Sequence, residues 1–363
     1  RPRAFPDSPR GARALNDKMR FHPALRRGIV QRGLPMFKYI TKRLLIMIPL
    51  LMVLSIAVFV IIQLPPGDYL DIYVNQLRST GMLVTQDEIA ALKAQYGFDQ
   101  PMYVQYLRWI GNFMTGNMGY SFVYNRSVND LVMSRMPATI GISLASVVLI
   151  WLISFPMGFY SATHKYSFGD YAFTSFSFFG VSVPQFLLAI VIMYLYFLST
   201  RQYAGGLFSD AFVSQPWSWA KFVDMLGHLW IPLLVIAFTG TAGLFKTFRA
   251  NLLDEMSKPY VNTARAKGVS HIRLLIKYPV RIALIPFIST IGWMLPDLIS
   301  GQTVLAMVLS LPTVGPMLVT ALQKQDMYLA GSIVFIMGIL AMIGTLVSDL
   351  LLAATDPRIR NTM

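Results

Sequence analysis

Leu44-Leu-Ile-Met-Ile-Pro-Leu-Leu-Met-Val-Leu-Ser-Ile-Ala-Val-Phe-Val-Ile-Ile62 runs nineteen residues without a charged side chain. A helix rising 1.5 Å per residue crosses the hydrocarbon core of a bilayer, about 30 Å thick, in a stretch of this length. A secretory leader has a short apolar region close to the chain start. This stretch comes later and runs longer, so it reads as a retained membrane helix. Working outward from it, charge-poor windows recur. Met136–Thr163 holds a span near Ile140–Tyr160, and Tyr171–Thr200 holds a third. Trp230–Phe245 is a short fourth, Ile282–Leu311 a fifth interrupted by Asp297, and Met327–Ser348 a sixth. The expectation is an all-α, polytopic membrane protein with six transmembrane helices.

Composition agrees. Of 363 residues, 55% are hydrophobic and 13% charged, where a soluble domain carries about a quarter charged. The formal net charge of +14 would suggest nucleic acid in a soluble chain. Here the basic residues gather before the first span and between the fourth and fifth, the pattern of cytoplasmic segments. Lipid, not nucleic acid, is the expected contact, with both termini cytoplasmic. There is no cysteine, which excludes disulfides and thiolate metal sites. His22, His164, His228 and His271 include no pair three to five residues apart, so no helical metal motif is present.

Two loops are long. The outer one, Gln63–Arg135, opens with the turn signal Pro65-Pro66-Gly67. It continues with a helical pattern at Ile89–Tyr96 and the aromatic run Tyr103, Tyr106, Trp109 and Phe113, expected to form a small cap of helices. The inner one, residues 248–281, carries Asp254-Glu255 and then a short basic helix over Tyr260–Lys267, stopped by Gly268. A second helical run, Ile272–Tyr278, ends at Pro279. The basic, proline-broken extension 1–38 suits the anionic inner leaflet, and bracing a permease pair or touching an ATPase are equal alternatives. Residues 39–363 form the membrane domain.

Helix breaks inside spans are tolerated where they face a cavity rather than lipid. Pro184, Pro286 and Pro296 are such places. The small-residue run Thr239–Gly243 reads as a close helix contact. Asp297 is the acidic side chain well inside a span, at a cost of at least roughly 2.5–3.5 kcal/mol at the bilayer centre. It is assigned to a translocation path with Pro184, Gln185 and Gln302.

The inner loop, Tyr260-Val261-Asn262-Thr263-Ala264-Arg265-Ala266-Lys267-Gly268, resembles the cytoplasmic loop of permeases in binding-protein-dependent ATP-driven importers. Leu64-Pro65-Pro66-Gly67-Asp68, Tyr96-Gly97-Phe98-Asp99-Gln100-Pro101, Arg135-Met136-Pro137-Ala138-Thr139 and Gly180-Val181-Ser182-Val183-Pro184 add to the likeness, as does Asp356-Pro357-Arg358-Ile359-Arg360. The pattern looks like the oligopeptide/dipeptide branch of the type I importers, over about Tyr39 to Arg360. The resemblance implies a coupling helix that docks in a groove of an ATPase subunit, with Tyr260, Thr263, Ala264, Arg265, Lys267, Gly268 and Arg273 as its contact residues. It also implies a second homologous permease, two ATPase subunits and an extracytoplasmic solute-binding protein. The setting would be the cytoplasmic (inner) membrane of a bacterium.

No Gly-x-x-x-x-Gly-Lys-Ser/Thr loop occurs, so ATP and Mg would sit on the partner ATPases and no cofactor on this chain. Nor does the chain show the paired aspartates, serine–histidine couple or zinc motif of a membrane enzyme. The remaining mechanistic alternative is an ion-driven carrier, which calls for internal symmetry and its own ion site; neither is evident. Two departures stand out. Asn262-Thr263-Ala264 replaces a common glutamate and two alanines, and Ala306, Leu309 and Pro312-Thr313 replace a glutamate, a phenylalanine and Pro-Gly. The expected substrate is an oligopeptide; an oligosaccharide, or nickel or glutathione as in similar permeases, is the alternative.

Overall fold

The computed structural model describes residues 36–64, 74, 85–96, 99–292, 294, 297 and 301–355. The expectations placed on 1–35, on Pro65-Pro66-Gly67, on Pro296 and on Asp356–Arg360 lie outside the described residues. The first apolar stretch lies in helix α1, Met36–Gln63. A helix at Gln86–Tyr96 (α2) and another at Met102–Met114 (α3) follow. The two-residue strands β1 (Tyr120–Ser121) and β2 (Arg126–Ser127) then pair antiparallel. Helix α4 spans Val128–Thr163. Its interior serines return their hydroxyls to the preceding turn, Ser146 to Ile142 O at 2.7 Å and Ser154 to Ile150 O at 2.5 Å. Polar side chains are thereby satisfied where no water competes.

The third window is not one straight span. Helices α5 (Phe168–Ser182) and α6 (Gln185–Thr200) meet at Val183-Pro184 with a bend of 101°. Proline at 184 has no N–H to give the preceding turn and pushes Val183 into an extended conformation, so a break is expected there. After a single turn, α7 (Asp210–Val213), comes α8, Trp219–Met256, 38 residues long. The short fourth span therefore extends well past Trp230–Phe245. Charges mark where the apolar window ends, not where the helix does, because these charges have partners. Lys221 donates to Gln215 O at 2.6 Å, Asp224 accepts from Ser209 N and Oγ at 2.8 and 2.7 Å, and Arg249 pairs with Asp170.

Next are α9 (Pro259–Ala266) and α10 (His271–Leu275). Pro279 does not stop the chain as expected. It sits in a π turn, Ile276–Val280, whose wider hydrogen-bond spacing accommodates the missing N–H, and the chain continues as α11, Arg281–Ser289. Helices α12 (Thr303–Val308), α13 (Val314–Gln323) and α14 (Met327–Thr355) complete the order. Four helices, α1, α4, α8 and α14, are long and apolar enough to cross a membrane, and α5–α6 makes a fifth if the bent pair is one span. The described part of the Ile282–Leu311 window adds only the shorter α11 and α12, so the full six-span count does not follow from helix lengths.

The fold is all-α apart from the small hairpin. The main core forms where α4, α8 and α11 meet, with Ile150, Phe248 and Phe287 buried in it. Trp151–Phe287, Phe155–Phe248 and Phe248–Phe287 centroids lie 4.7, 5.0 and 5.6 Å apart. Helix α1 packs on α14, and their Arg43 and Asp349 pair at 3.1 Å at the end of the bundle that also carries α9. At the opposite end, Trp109 of α3 inserts among Phe59, Phe113 and Phe335. There Asp326 accepts from Ser121 Oγ at 2.6 Å and from the N–H groups of Val123 and Leu329, both at 3.2 Å, which fastens the hairpin to the start of α14. Burial pushes this carboxyl up from the ordinary range despite the donors.

Candidate functional site

Two features are built on the same helix. The first is a cavity of about 530 Å³. The break between α5 and α6 forms one wall, with Gly180, Pro184 and Gln185. Thr239, Gly243 and Thr247 of α8 form a second, and Thr290 and Asp297 a third. The spacing explains the α8 face: 239, 243 and 247 are four apart, so they stack on one side of the helix. The close approach of the walls depends on small residues. A Cβ at Gly180 would stand 2.9 Å from Phe238 O and 3.1 Å from Ala242 Cβ, and one at Gly240 would collide with Ile150. The run Thr239–Gly243 is therefore a packing seam, as its composition suggests, and also part of the cavity wall.

Gln185 Nε2 donates to Thr239 Oγ1 at 2.7 Å, joining the first two walls. Pro184, Gln185 and Asp297 thus come together on one cavity. Gln302 does not join them. It lines a separate space of about 20 Å³ with Thr139, Ser143, Thr303 and Thr313, where its Nε2 is buried without a partner among the described residues. Sequence reasoning missed Thr247 and Thr290 as lining residues. The i, i+4 spacing from Thr239 through Gly243 gave a signal for Thr247; nothing local marked Thr290.

The second feature is the hook after α8. Its inner face is apolar: Val261, Ala264, Leu274 and Leu275 are buried together, with Phe159 and Met256 against them. Pro259 at the first position suits a helix start, and Gly268 turns the chain at φ +76°, a conformation that costs any residue with a Cβ. Tyr260, Thr263, Arg265, Lys267, Gly268 and Arg273 are all exposed, whereas Ala264 faces inward and anchors the hook. Ile272 and Ile276 stand exposed beside Arg273 and Lys277, a pair of apolar side chains that the sequence reading did not single out. The acidic residues here are engaged. Asp254 binds Lys258 at 2.9 Å, and Tyr260 Oη donates to Glu255 Oε2 at 2.5 Å. Burial, and next the Glu255 carboxylate, push the Tyr260 phenol well above its ordinary value, so it stays a donor. The exposed surface left over is basic.

An unforeseen ion pair stands beside the hook. Arg249 of α8 holds Asp170 at the start of α5 through Nε (2.7 Å) and Nη2 (2.8 Å), and the same carboxylate accepts from Tyr166 N at 2.9 Å. Among the described residues no three histidine, aspartate or glutamate side chains gather as a metal site.

Residues 154–361, which include the cavity walls and the hook, match the family described as the binding-protein-dependent transport system inner membrane component. Residues 36–145 match the N-terminal region of such membrane components. The chain belongs to this family. It is therefore a multi-pass membrane component of a transport system. The chain is 34% identical over 325 residues to the oligopeptide transport system permease protein AppB of Bacillus subtilis (strain 168), covering 89% of this chain and 99% of that one. It is 32% identical over 329 residues to a putative peptide permease protein of Brucella ovis, covering 90% and 100%. The oligopeptide transport system permease protein OppB of Haemophilus influenzae is 28% identical over 326 residues, again 90% of this chain and 100% of the relative.

Proposed function

We propose that this chain forms one half of the translocation path of an ATP-driven importer of oligopeptides. A second, homologous permease would supply the other half and two separate ATPase subunits the energy, with an extracytoplasmic binding protein delivering the solute. The observation that carries this reading is the continuity of α8. One uninterrupted helix, Trp219–Met256, bears the cavity residues Thr239, Gly243 and Thr247 and delivers the chain, across Ser257 and Lys258, to the hook at Pro259–Ala266. Only Ser257 and Lys258 separate the hook from the helix that carries the cavity wall, a short path for a displacement of the hook to reach it. The names of the relatives supply the peptide class.

The exposed face of the hook suits an acidic groove on an ATPase. Tyr260, Thr263 and Lys267 follow helical spacing on the outward side, and Arg265 and Arg273 add charge that a carboxylate binds well. Domain limits, six spans with both termini in the cytoplasm, and an inner-leaflet role for residues 1–38 belong to the same proposal. In it, ATP and Mg bind the ATPases and this chain contributes no catalytic group.

The test is reconstitution of the four-subunit membrane complex with its binding protein, measuring ATP-dependent uptake of a labelled oligopeptide. Gly268→Val forces a β-branched residue into the left-handed turn at a cost of about 1–2 kcal/mol. Uptake is expected to fall roughly tenfold while the ATPases remain bound. Uptake driven by an ion gradient without ATP, or unaltered coupling in Gly268→Val, contradicts the proposal.

A further inference from the structure

The cavity wall has a chemical bias that its family membership does not state. Asp297 is exposed on the cavity, and no lysine or arginine is among the described residues that line it. The carboxylate has no ion-pair partner among the described residues. Gly301 N donates to Asp297 O at 2.6 Å, and Asp297 Oδ1 lies 3.3 Å from the point where a Cβ on residue 301 would stand. Glycine at 301 leaves that side of the carboxylate uncrowded.

The neighbouring polar group points to the same class of ligand. Gln185 spends one of its two amide N–H groups on Thr239 Oγ1, and Thr239 in turn lies within hydrogen-bonding distance of the carbonyls of Val235 and Ile236 in its own helix. The hydroxyl donors on this wall are thus committed inside the protein, Thr247 to Gly243 O at 3.1 Å and Thr290 to Phe287 O at 2.7 Å besides Thr239. What the side chains then offer a ligand is mainly acceptors, two carboxylate oxygens of Asp297 and the Gln185 carbonyl oxygen, beside one remaining Gln185 N–H. A wall whose described side chains present these acceptors and a carboxylate without a lysine or arginine beside it suits a group with several N–H donors and a positive charge.

Resting on the peptide reading above, we infer that Asp297 is a specificity-determining residue that receives the protonated amino group of the substrate as it crosses this half of the path. Gln185 then takes a neighbouring amide N–H.

The experiment uses the complete reconstituted complex and two probes, a tripeptide with a free amino terminus and the same tripeptide N-acetylated. Acetylation removes the charge but keeps an amide N–H. ATP-driven uptake is measured for the wild type, Asp297→Asn and Asp297→Glu with the same binding protein throughout. The receptor's own preference then cancels when variants are compared. The expected result is that Asp297→Asn reduces the free-amine preference in kcat/KM roughly tenfold, the loss of one charge-assisted contact. Asp297→Glu, which keeps the charge, retains most of that preference. Equal slowing of both peptides in Asp297→Asn overturns the inference and leaves a structural residue; so does an unchanged preference in both variants. A wild-type complex that moves neither peptide is a different failure. It removes the peptide assignment itself, and the inference with it.

Discussion

At the scale of single residues, the pair Asp170–Arg249 shows how a charge is kept at a helix junction. The Asp170 side chain is almost fully enclosed, at 3% exposure, while Arg249 reaches partial solvent at 25%. Removing the arginine leaves an enclosed carboxylate with one backbone donor. Arg249→Met is expected to destabilise the fold by about 3 kcal/mol, since an uncompensated buried charge costs more than the pair contributes. Asp170→Asn in the same chain should recover most of the loss. The measurement is thermal unfolding of the purified complex for the single and double variants. A double variant no more stable than Arg249→Met contradicts this account of the pair. The pair was not legible in the sequence, because 79 residues separate its members and each charge alone reads as a span boundary. Gly268 was legible, because a glycine that closes a short basic helix has one common purpose, and φ +76° bears that out. Asp297 was legible as a costly charge inside a span, and Pro184 and Gln185 were legible with it at a helix break, but Thr247 and Thr290 on the same cavity were not.

At the scale of elements, apolar windows gave the helices, and polar partners set their ends. Thr85 and Glu88 illustrate this at the start of α2. Thr85 N donates to Glu88 Oε2 at 2.8 Å and Glu88 N to Thr85 Oγ1 at 3.3 Å, a reciprocal cap. The backbone and hydroxyl donors of Thr85 hold the Glu88 carboxyl below its ordinary value of 4.5. A lowered folded-state value means that the cap's contribution is fully present above the ordinary value and is lost as pH falls through the lowered one. Hydrogen exchange at the first turn of α2, corrected for intrinsic rates, should therefore show protection that is flat near neutrality and declines in acid. Glu88→Gln should show no such decline; protection that rises in acid contradicts the cap. The larger surprises at this scale have the same origin. α8 outran its apolar window because Ser209, the Gln215 carbonyl and Asp170 receive its terminal charges. The chain passed Pro279 because a π turn relocates the hydrogen bond that proline cannot make. Neither partner lies where a sequence window looks.

At the scale of the whole molecule, the bundle has two distinct ends. One carries the hook, the Asp170–Arg249 pair and the Arg43–Asp349 pair. The other carries the hairpin, the Trp109 aromatic cluster and Asp326. The cavity lies among helices that link the two, and α8 connects its wall to the hook. The proposed coupling requires that the hook face the compartment where ATP is hydrolysed. The chain has no cysteine, so single cysteines introduced at Lys267 and Arg126 can be labelled without background. The decisive measurement is reaction of these two cysteines with a membrane-impermeant thiol reagent in intact cells and in inverted vesicles, with and without bound ATPase subunits. The account predicts that Arg126→Cys is labelled from outside. Lys267→Cys should be labelled only from the cytoplasmic side and be shielded when the ATPases are docked. Labelling of Lys267→Cys in intact cells, or labelling indifferent to the ATPases, would contradict it.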